Sequence, residues 1–151
     1  RFIVRVYGLI HNDWKEVLVA EEFHFNTFMR KFPGGGLEFG EGPADCLFRE
    51  MNEELNVSLP VGDLLHTTRV FIQSAFNPNH QVLGIYFLVK ADDRIKDKFR
   101  DQSVMPTENG QEFFRWELVE NLSSSNLTFP ADQQAYEAFL EIRSKLEKSI
   151  Q

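Results

Sequence analysis

The segment that decides the fold runs from Gly35 to Val57 and reads GGLEFGEGPADCLFREMNEELNV. Proline is favoured at the first position of a helix and asparagine tolerates a left-handed cap, so Pro43 and Asn56 predict a helix ending at about Leu55. Apolar side chains recur every four residues within this helix, at Leu47, Met51 and Leu55. This spacing places them in one stripe and predicts that the stripe packs on a core.

The predicted helix also carries three carboxylates on one face, because Glu50, Glu53 and Glu54 are three and four residues apart. Like charges at this spacing destabilise a helix by roughly 0.2–0.5 kcal/mol per pair, and the helix dipole opposes them near its C-terminal end. Arg49 is the only basic residue between positions 35 and 57, against six acidic residues. Convergent carboxylates with so little neutralising charge are the ligands that a hard divalent cation such as Mg²⁺ prefers.

Two features next to the helix extend this interpretation. Three consecutive glycines, Gly34 to Gly36, allow a sharp bend that brings a backbone carbonyl to a metal beside the helix. Glu41 precedes the helix and is placed to reach Arg49, and Arg49 in turn orients the adjacent Glu50. The sequence therefore predicts a metal site whose ligands are held by a second layer of charged side chains.

The residues of this segment resemble the signature box of the Nudix hydrolases, G-x5-E-x7-R-E-U-x-E-E-x-G-U, in which U is aliphatic. The positions that match are Gly35, Glu41, Arg49, Glu50, Met51, Glu53, Glu54 and Val57. Asn56 stands where the family has glycine, a conservative change because asparagine adopts the left-handed backbone more readily than most side chains. The stretches Phe32–Gly36 and Phe114–Trp116 also resemble family motifs, a Pro-Gly-Gly lead-in and a later Arg-Trp strand.

The resemblance implies a Nudix fold of the α/β (α+β) class, a mixed β-sheet sandwiched between α-helices in a single domain, 1–151. It also implies hydrolysis of a nucleoside diphosphate linked to another group, by water that bound Mg²⁺ or Mn²⁺ activates. The implied metal ligands are Glu50, Glu53, Glu54 and the backbone carbonyl of Gly34. Arg49 orients Glu50 in this scheme, and the structural residues of the box are Gly35 and Glu41.

The resemblance leaves the general base open. Some members use a glutamate of the box, which here is Glu50 or Glu53, and others use a glutamate from a later loop. Glu108 and Glu112, just before a predicted strand, are the candidates for that later residue, as base or as metal ligand. The implied catalytic residues are Arg49, Glu50 and Glu53.

Outside the box, the alternating pattern from Phe2 to Tyr7 predicts a strand. A turn at 11–13 and an apolar strand at 17–20 predict that the two strands pair as a hairpin. Further predicted elements are a loop at 32–36, strands at 69–72, 82–89 and 113–119, and a helix from Asp132 onwards. This order of elements predicts a mixed α/β domain in which helices cover a sheet.

The composition narrows the expected partners. The 151 residues carry a net charge of −7, which argues against binding to a nucleic-acid polymer or to an anionic membrane surface. The single cysteine, Cys46, allows no intramolecular disulfide and suits a reducing compartment, so we expect a cytoplasmic protein. The expected partner is a small nucleotide or nucleoside-diphosphate derivative, and the resemblance also allows a homodimer.

Several alternatives stay open at this point. Arg30 and Lys31, just before the box, are candidate contacts for a substrate phosphate, although a solvated strand end explains them equally well. Phe76 lies in a loop that mixes polar groups with an aromatic ring, and it is a candidate substrate contact. The substrate is open among nucleoside triphosphates, nucleotide sugars, ADP-ribose and dinucleoside polyphosphates. The rival function is a non-catalytic Nudix-fold module that senses a nucleotide, but the intact carboxylates favour an enzyme.

Overall fold

The computed structural model describes residues 1–150 as a mixed sheet of seven strands with two α-helices, which confirms the predicted fold class. In chain order the elements are β1 (Phe2–Asn12), β2 (Glu16–His24), β3 (Thr27–Lys31), β4 (Gly34–Gly36), α1 (Pro43–Leu55), β5 (Leu64–Thr67), β6 (Gln81–Lys90), β7 (Glu112–Leu118) and α2 (Pro130–Ile150). Two single turns of 3₁₀ helix, at 119–121 and 124–126, precede α2. Within residues 1–150 no helix has both the length and the apolar character needed to cross a membrane.

The sheet has the strand order β3-β2-β1-β6-β5, with β4 beside β1 and β7 beside β2. β6 pairs in parallel with residues 2–11 of β1, and the other strand pairs are antiparallel. β1 and β2 form the predicted hairpin, but they pair only near its turn, where His11 lies opposite Val17. Beyond that point the two strands diverge, and β4 takes the place beside β1. The glycines before α1 are therefore part of the sheet.

Apolar side chains fill both faces of the sheet, because successive residues of a strand point to opposite sides. On one face Val6 and Ile10 pack in a core with the buried side of α1. On the other face Leu9 and Val17 pack in a second core with the buried side of α2. One helix therefore covers each face, as the sequence predicted.

The helix of the box also forms as predicted. It begins at Pro43 and ends at Leu55, and Asn56 follows in the left-handed conformation, with φ 54° and ψ 45°. Asparagine thus forms the left-handed cap that was expected at this position. The predicted apolar stripe of Leu47, Met51 and Leu55 is buried. Glu50 and Glu54 lie on the flank beside this stripe, at about 100° and 60° around the helix axis from Met51.

The strand predicted at 69–72 is wrong, because the strand lies at Leu64–Thr67 and pairs with β6. The Thr68 amide donates to the Gly84 carbonyl, and the Gly84 amide donates to the Thr68 hydroxyl, which ends the pairing. The chain then leaves the sheet, and Val70 and Phe71 are 54% and 70% exposed. Their apolar side chains belong to a surface loop, which periodicity does not distinguish from a short strand.

Other boundaries also differ. The loop predicted at 32–36 is wrong in part, because Gly34–Gly36 form β4 against β1. β1 continues to Asn12, so its turn falls at positions 13 and 14, which both have positive φ. α2 begins at Pro130, two residues before the predicted start, because proline suits the first turn of a helix. β3 has no counterpart among the predicted elements.

Candidate active site

Arg49 on α1 connects most of the predicted site residues. Its Nε and Nη2 donate to the two carboxylate oxygens of Glu41, over 3.0 and 2.7 Å, and Nη2 also donates to the Gly36 carbonyl, over 3.1 Å. Its Nη1 donates to Glu50 over 2.9 Å and to Glu53 over 3.3 Å. The hydrogen bonds from Arg49 are the main reason why the pKa of Glu41 is lowered to about 2. Glu41 and β4 therefore hold the guanidinium in a position from which it orients Glu50.

The Glu50 carboxylate lies directly against Gly35 of β4. A Cβ atom added to Gly35 would overlap both oxygens of that carboxylate, so a larger residue would displace Glu50. A Cβ atom added to Gly34 would instead overlap the backbone of Val6 and Tyr7. The two glycines are therefore needed for different reasons, Gly35 for the position of Glu50 and Gly34 for the contact between β4 and β1.

Strand pairing also sets the direction of the glycine carbonyls in β4. The hydrogen bonds between β1 and the residues on either side of β4 place the polar groups of Gly35 toward β1. The carbonyls of Gly34 and Gly36 consequently lie on the other edge of β4, since polar groups alternate along a strand. The Gly36 carbonyl accepts its hydrogen bond from Arg49 at this edge. The Gly34 carbonyl is thus directed away from β1, to the side on which the box helix lies.

The carboxyl groups of Glu54 and Glu112 titrate abnormally. Glu54 lies one helical turn after Glu50 on α1. Burial, the neighbouring Glu50 carboxyl and the charge of Glu112 raise the pKa of Glu54 to about 9. Burial and a hydrogen bond with Glu22 raise the pKa of Glu112 to about 7. Carboxyl groups shift in this direction when they share a partly buried site without enough positive charge.

Lys31, at the end of β3, supplies part of the positive charge. Its Nζ lies 3.3 Å from the Glu22 carboxylate and 3.6 Å from the Glu112 carboxylate. Its charge also acts on Glu54, where it lowers the pKa against the larger effects of burial. Only 20% of its side chain is exposed. Lys31 therefore lies within the acidic cluster and not at a solvated strand end.

Two other candidates from the sequence lie outside this cluster. The Arg30 guanidinium donates over 3.0 Å to Glu21, a fully buried carboxylate that also forms an ion pair with Arg115. The Arg30 guanidinium is therefore already paired with a buried carboxylate of the fold. Glu108 is exposed in the loop before β7, where its backbone amide is bonded to the Gln111 side chain over 3.2 Å. Within residues 1–150 no hydrogen bond or ion pair joins the Glu108 carboxylate to the box.

The donors next to Gly35 fit a divalent cation in kind, because carboxylate and carbonyl oxygens are the ligands of Mg²⁺ and Mn²⁺. Among residues 1–150, no three Asp, Glu, His or Cys side chains are already close enough together to hold an ion. Glu53, for example, is held by Arg49 and has 58% of its side chain exposed. However, Mg²⁺ usually binds through one or two carboxylates and keeps several waters. Glu50 and Glu54, which lie one helical turn apart on α1, meet that smaller requirement.

A cavity of about 500 Å³ lies beside β2 and β3. His24 on β2 and Met29 on β3 line it, and strand alternation puts them on the same face as Glu22 and Lys31. The aromatic rings that line it are those of Phe25, Phe76 and Phe129. Phe76, a candidate substrate contact in the sequence analysis, thus lines this cavity. The other two rings come from distant segments, and no common sequence pattern identifies the three together.

A further polar cluster, Arg5, Tyr7, Tyr86 and Asp132, had no signal in the sequence analysis. The Tyr86 hydroxyl donates over 2.6 Å to the buried Asp132 carboxylate, whose pKa burial raises to about 6. The Asp132 Oδ2 atom has no hydrogen-bond partner within residues 1–150. Tyr7 stacks on Tyr86 with ring centroids 5.0 Å apart, and its hydroxyl accepts a hydrogen bond of 2.7 Å from Arg5 Nε. Alternating polar residues in β1 are typical of the solvent face of a strand, which hid this cluster.

A family model described as the NUDIX domain matches residues 1–139. The chain therefore belongs to the NUDIX family, as the box predicted. Nudix hydrolases, the enzymes of this family, act on pyrophosphate bonds and typically use a divalent metal. This match confirms the predicted family.

Two curated proteins are similar to this chain, one over about half of it and the other over nearly all of it. An RNA pyrophosphohydrolase of Ruthia magnifica subsp. Calyptogena magnifica is 35% identical over 72 residues, which are 48% of this chain and 39% of that protein. A protein of Mus musculus named phosphatidylinositol 3,4,5-trisphosphate-dependent Rac exchanger 1 protein is 27% identical over 151 residues, 98% of this chain and 8% of that protein. The chain thus spans well under half the length of either relative.

Solved structures share the fold along nearly the whole chain. The Escherichia coli ORF135 protein superposes with a TM-score of 0.69 at 20% identity, and covers 96% of this chain and 93% of its own. A MutT protein from Methanosarcina mazei Go1 gives a TM-score of 0.66 at 21% identity, with 94% and 95% covered. A NUDIX hydrolase from Nitrosomonas europaea gives 0.68 at 20% identity, with 93% and 90% covered. At these identities the likeness shows the fold alone.

Proposed function

We propose that the chain is a Mg²⁺- or Mn²⁺-dependent pyrophosphohydrolase that cleaves the diphosphate linkage of a small nucleotide derivative. One observation carries the proposal: the Glu50 carboxylate lies directly against Gly35, one helical turn from Glu54, and Arg49 holds Glu50 in that place. Arg49 is itself fixed by Glu41. A structural ion-pair network would not need two carboxyl groups facing each other without a cation, whereas a metal site would.

Each protein group has a defined part in this proposal. Glu50, Glu54 and the Gly34 carbonyl would hold the ion, which when bound neutralises phosphate charge and activates a water molecule. Arg49 keeps the Glu50 carboxylate oriented, so it is a positioning residue. Glu53 and Glu112 are better supported than Glu108 as the general base that takes the proton of the attacking water, since both lie near Glu50 or Glu54 in the fold.

The aromatic cavity is the proposed place for the nucleoside part of the substrate. Its walls combine Phe25, Phe76 and Phe129 with His24, and flat aromatic faces suit a nucleobase. Lys31 follows Met29 of the cavity wall on the same face of β3 and pairs with Glu22 and Glu112, so it supplies a cation near the carboxylates for a phosphate chain that starts in the cavity. The net charge of −7 favours a small nucleotide over an RNA chain, although one relative is named as an RNA pyrophosphohydrolase.

A direct assay distinguishes the proposed enzyme from the rival proposal, a nucleotide-sensing module. Nucleoside triphosphates, nucleotide sugars, ADP-ribose and dinucleoside polyphosphates are each incubated with the protein and Mg²⁺, and released phosphate or pyrophosphate is measured. We expect hydrolysis of at least one class by the wild type, and a loss of two or more orders of magnitude in Glu54→Gln. Glu141→Gln, an exposed glutamate on α2, is the matched control and should hydrolyse like the wild type. Binding without hydrolysis in the wild type would favour the sensor.

A cytoplasmic location belongs to the same proposal and is supported by the single, buried cysteine, Cys46. The homodimer stays a prediction. Sedimentation of the purified protein at several concentrations would measure it.

A further inference from the structure

Arg5 projects from β1 over an open strip of the sheet. Its two cross-strand neighbours are both glycines, Gly36 on β4 and Gly84 on β6, so no side chain stands beside it on either strand. Its Nη1 would lie 4.0 Å from a Cβ atom added to Gly36, so the terminal amino groups extend toward the β4 side. The Arg5 side chain therefore reaches the same edge of the sheet as the candidate active site.

The head of Arg5 is held in place through Tyr7. Its Nε donates to the Tyr7 hydroxyl over 2.7 Å, and its guanidinium carbon lies 5.6 Å from the centre of the Tyr7 ring. Tyr7 is stacked on Tyr86, which is anchored to Asp132 by the buried hydrogen bond of 2.6 Å. This chain of contacts fixes the orientation of the guanidinium and, in the part of the chain that the structure describes, uses one of its three nitrogen atoms.

The two terminal amino groups of Arg5 have no acceptor within residues 1–150, and no carboxylate lies within ion-pair distance of them. Glu50 and Glu54 are the box carboxylates whose charges act on Arg5. The other cations beside these carboxylates are already engaged: Arg49 by Glu41 and Glu50, and Lys31 by Glu22 and Glu112. Arg5 is thus a partly buried cation that faces the acidic site. Within residues 1–150 its two terminal amino groups have no hydrogen-bond acceptor.

We propose that Arg5 binds a phosphate group of the substrate through its two terminal amino groups, and that Tyr7 positions it for this contact. A planar guanidinium fork matches two phosphate oxygens, and such charge-assisted pairs are stronger than neutral hydrogen bonds. The contact places positive charge on the substrate from the side opposite to the carboxylates. This inference rests on the proposed function, because it assigns the diphosphate group to the same site.

Binding of inorganic pyrophosphate in the presence of Mg²⁺, measured by isothermal titration calorimetry, tests the proposal without catalysis of a nucleotide. Arg5→Met keeps the apolar stem and removes the charge, and it should weaken binding by about 10- to 100-fold. Arg5→Lys keeps the charge but loses the planar fork of amino groups, so its affinity for pyrophosphate should lie between those of Arg5→Met and the wild type. Lys15→Met removes an exposed cation whose one ion pair within residues 1–150 is with Asp13, and should bind like the wild type. Equal affinities of Arg5→Met and wild type would overturn the proposal.

Steady-state hydrolysis separates this proposal from the proposed function. For a substrate that the wild type hydrolyses, Arg5→Met should raise KM, Arg5→Lys should recover part of the loss, and Tyr7→Phe should raise KM less than Arg5→Met. If the wild type binds pyrophosphate through Arg5 but hydrolyses no nucleotide, the phosphate contact stands and the proposed function fails. If hydrolysis is present and Arg5→Met changes neither KM nor pyrophosphate affinity, the proposed function stands and Arg5 has no such role.

Discussion

Replacing Gly35 by alanine tests how β4 and α1 together build the site. The added Cβ would overlap both oxygens of the Glu50 carboxylate, so that side chain must turn away and lose its 2.9 Å hydrogen bond from Arg49. Hydrogen bonds to charged groups contribute about 1.5–3 kcal/mol, and partial exposure here reduces the expected loss of stability to about 1 kcal/mol. Displacement of a catalytic group by about 1 Å can cost roughly 100-fold in rate, so turnover should fall far more than stability.

The assay combines urea unfolding with hydrolysis of a nucleotide that the wild type cleaves. The control is Gly110→Ala, where an added Cβ meets nothing within 4 Å but the backbone has φ +90°. Its backbone strain should cost about 1–3 kcal/mol of stability with no loss of turnover. The reasoning is refuted if Gly35→Ala turns over substrate like the wild type, or if both variants lose turnover in proportion to stability.

Two further predictions concern buried carboxyl groups. Glu21→Gln leaves Arg115 and Arg30 without their buried counter-charge and should lower the free energy of unfolding by about 3–5 kcal/mol, against less than about 0.5 kcal/mol for Glu141→Gln, as measured in urea. Burial raises the pKa of Asp132 to about 6 from an ordinary 3.8, so the folded state binds the carboxyl proton more tightly than the unfolded state. The protonated Asp132 therefore contributes its full stability below pH 3.8, and this contribution is lost as the pH rises to 6. Asp132→Asn should therefore gain stability relative to the wild type across that window, and a difference independent of pH would contradict the burial.

The sequence predicted α1 and its contacts because the determining signals are local. The start, the left-handed cap and the buried stripe all lie within the Pro43–Asn56 segment, and the pairing of Glu41 with Arg49 spans only eight residues. Capping chemistry and helical periodicity act over such distances. The family box adds the roles of the glutamates, which no single spacing would assign.

The parts that the sequence did not predict depend on contacts between distant segments. The hydrogen bond from Tyr86 to Asp132 joins residues 46 positions apart, and neither residue differs in pattern from its neighbours. Arg5 gains its significance from the glycines on two other strands, one of them at position 84. The strand at 64–67 is short and only half buried, so its alternation of apolar and polar residues is weaker than that of the exposed loop that follows.

The distribution of charge acquires a specific meaning in this fold. Six of the acidic residues and one basic residue lie in the 35–57 segment, so this segment accounts for most of the net charge of −7. Such a field repels a polyphosphate until a divalent cation is bound, because the ion inverts the local charge. Arg5 and Lys31 then supply positive charge on the remaining sides of the site.

The central claim, that Glu50 and Glu54 hold a divalent cation on which hydrolysis depends, is tested most directly by removing and restoring the metal. Hydrolysis of a cleaved nucleotide is followed with Mg²⁺, after chelation, and after Mg²⁺ is added back, while circular dichroism monitors the fold. The account predicts that hydrolysis stops on chelation and returns with Mg²⁺ in the wild type, that Glu54→Gln does not recover it, and that the fold stays intact throughout. Continued hydrolysis in the metal-free protein would contradict it.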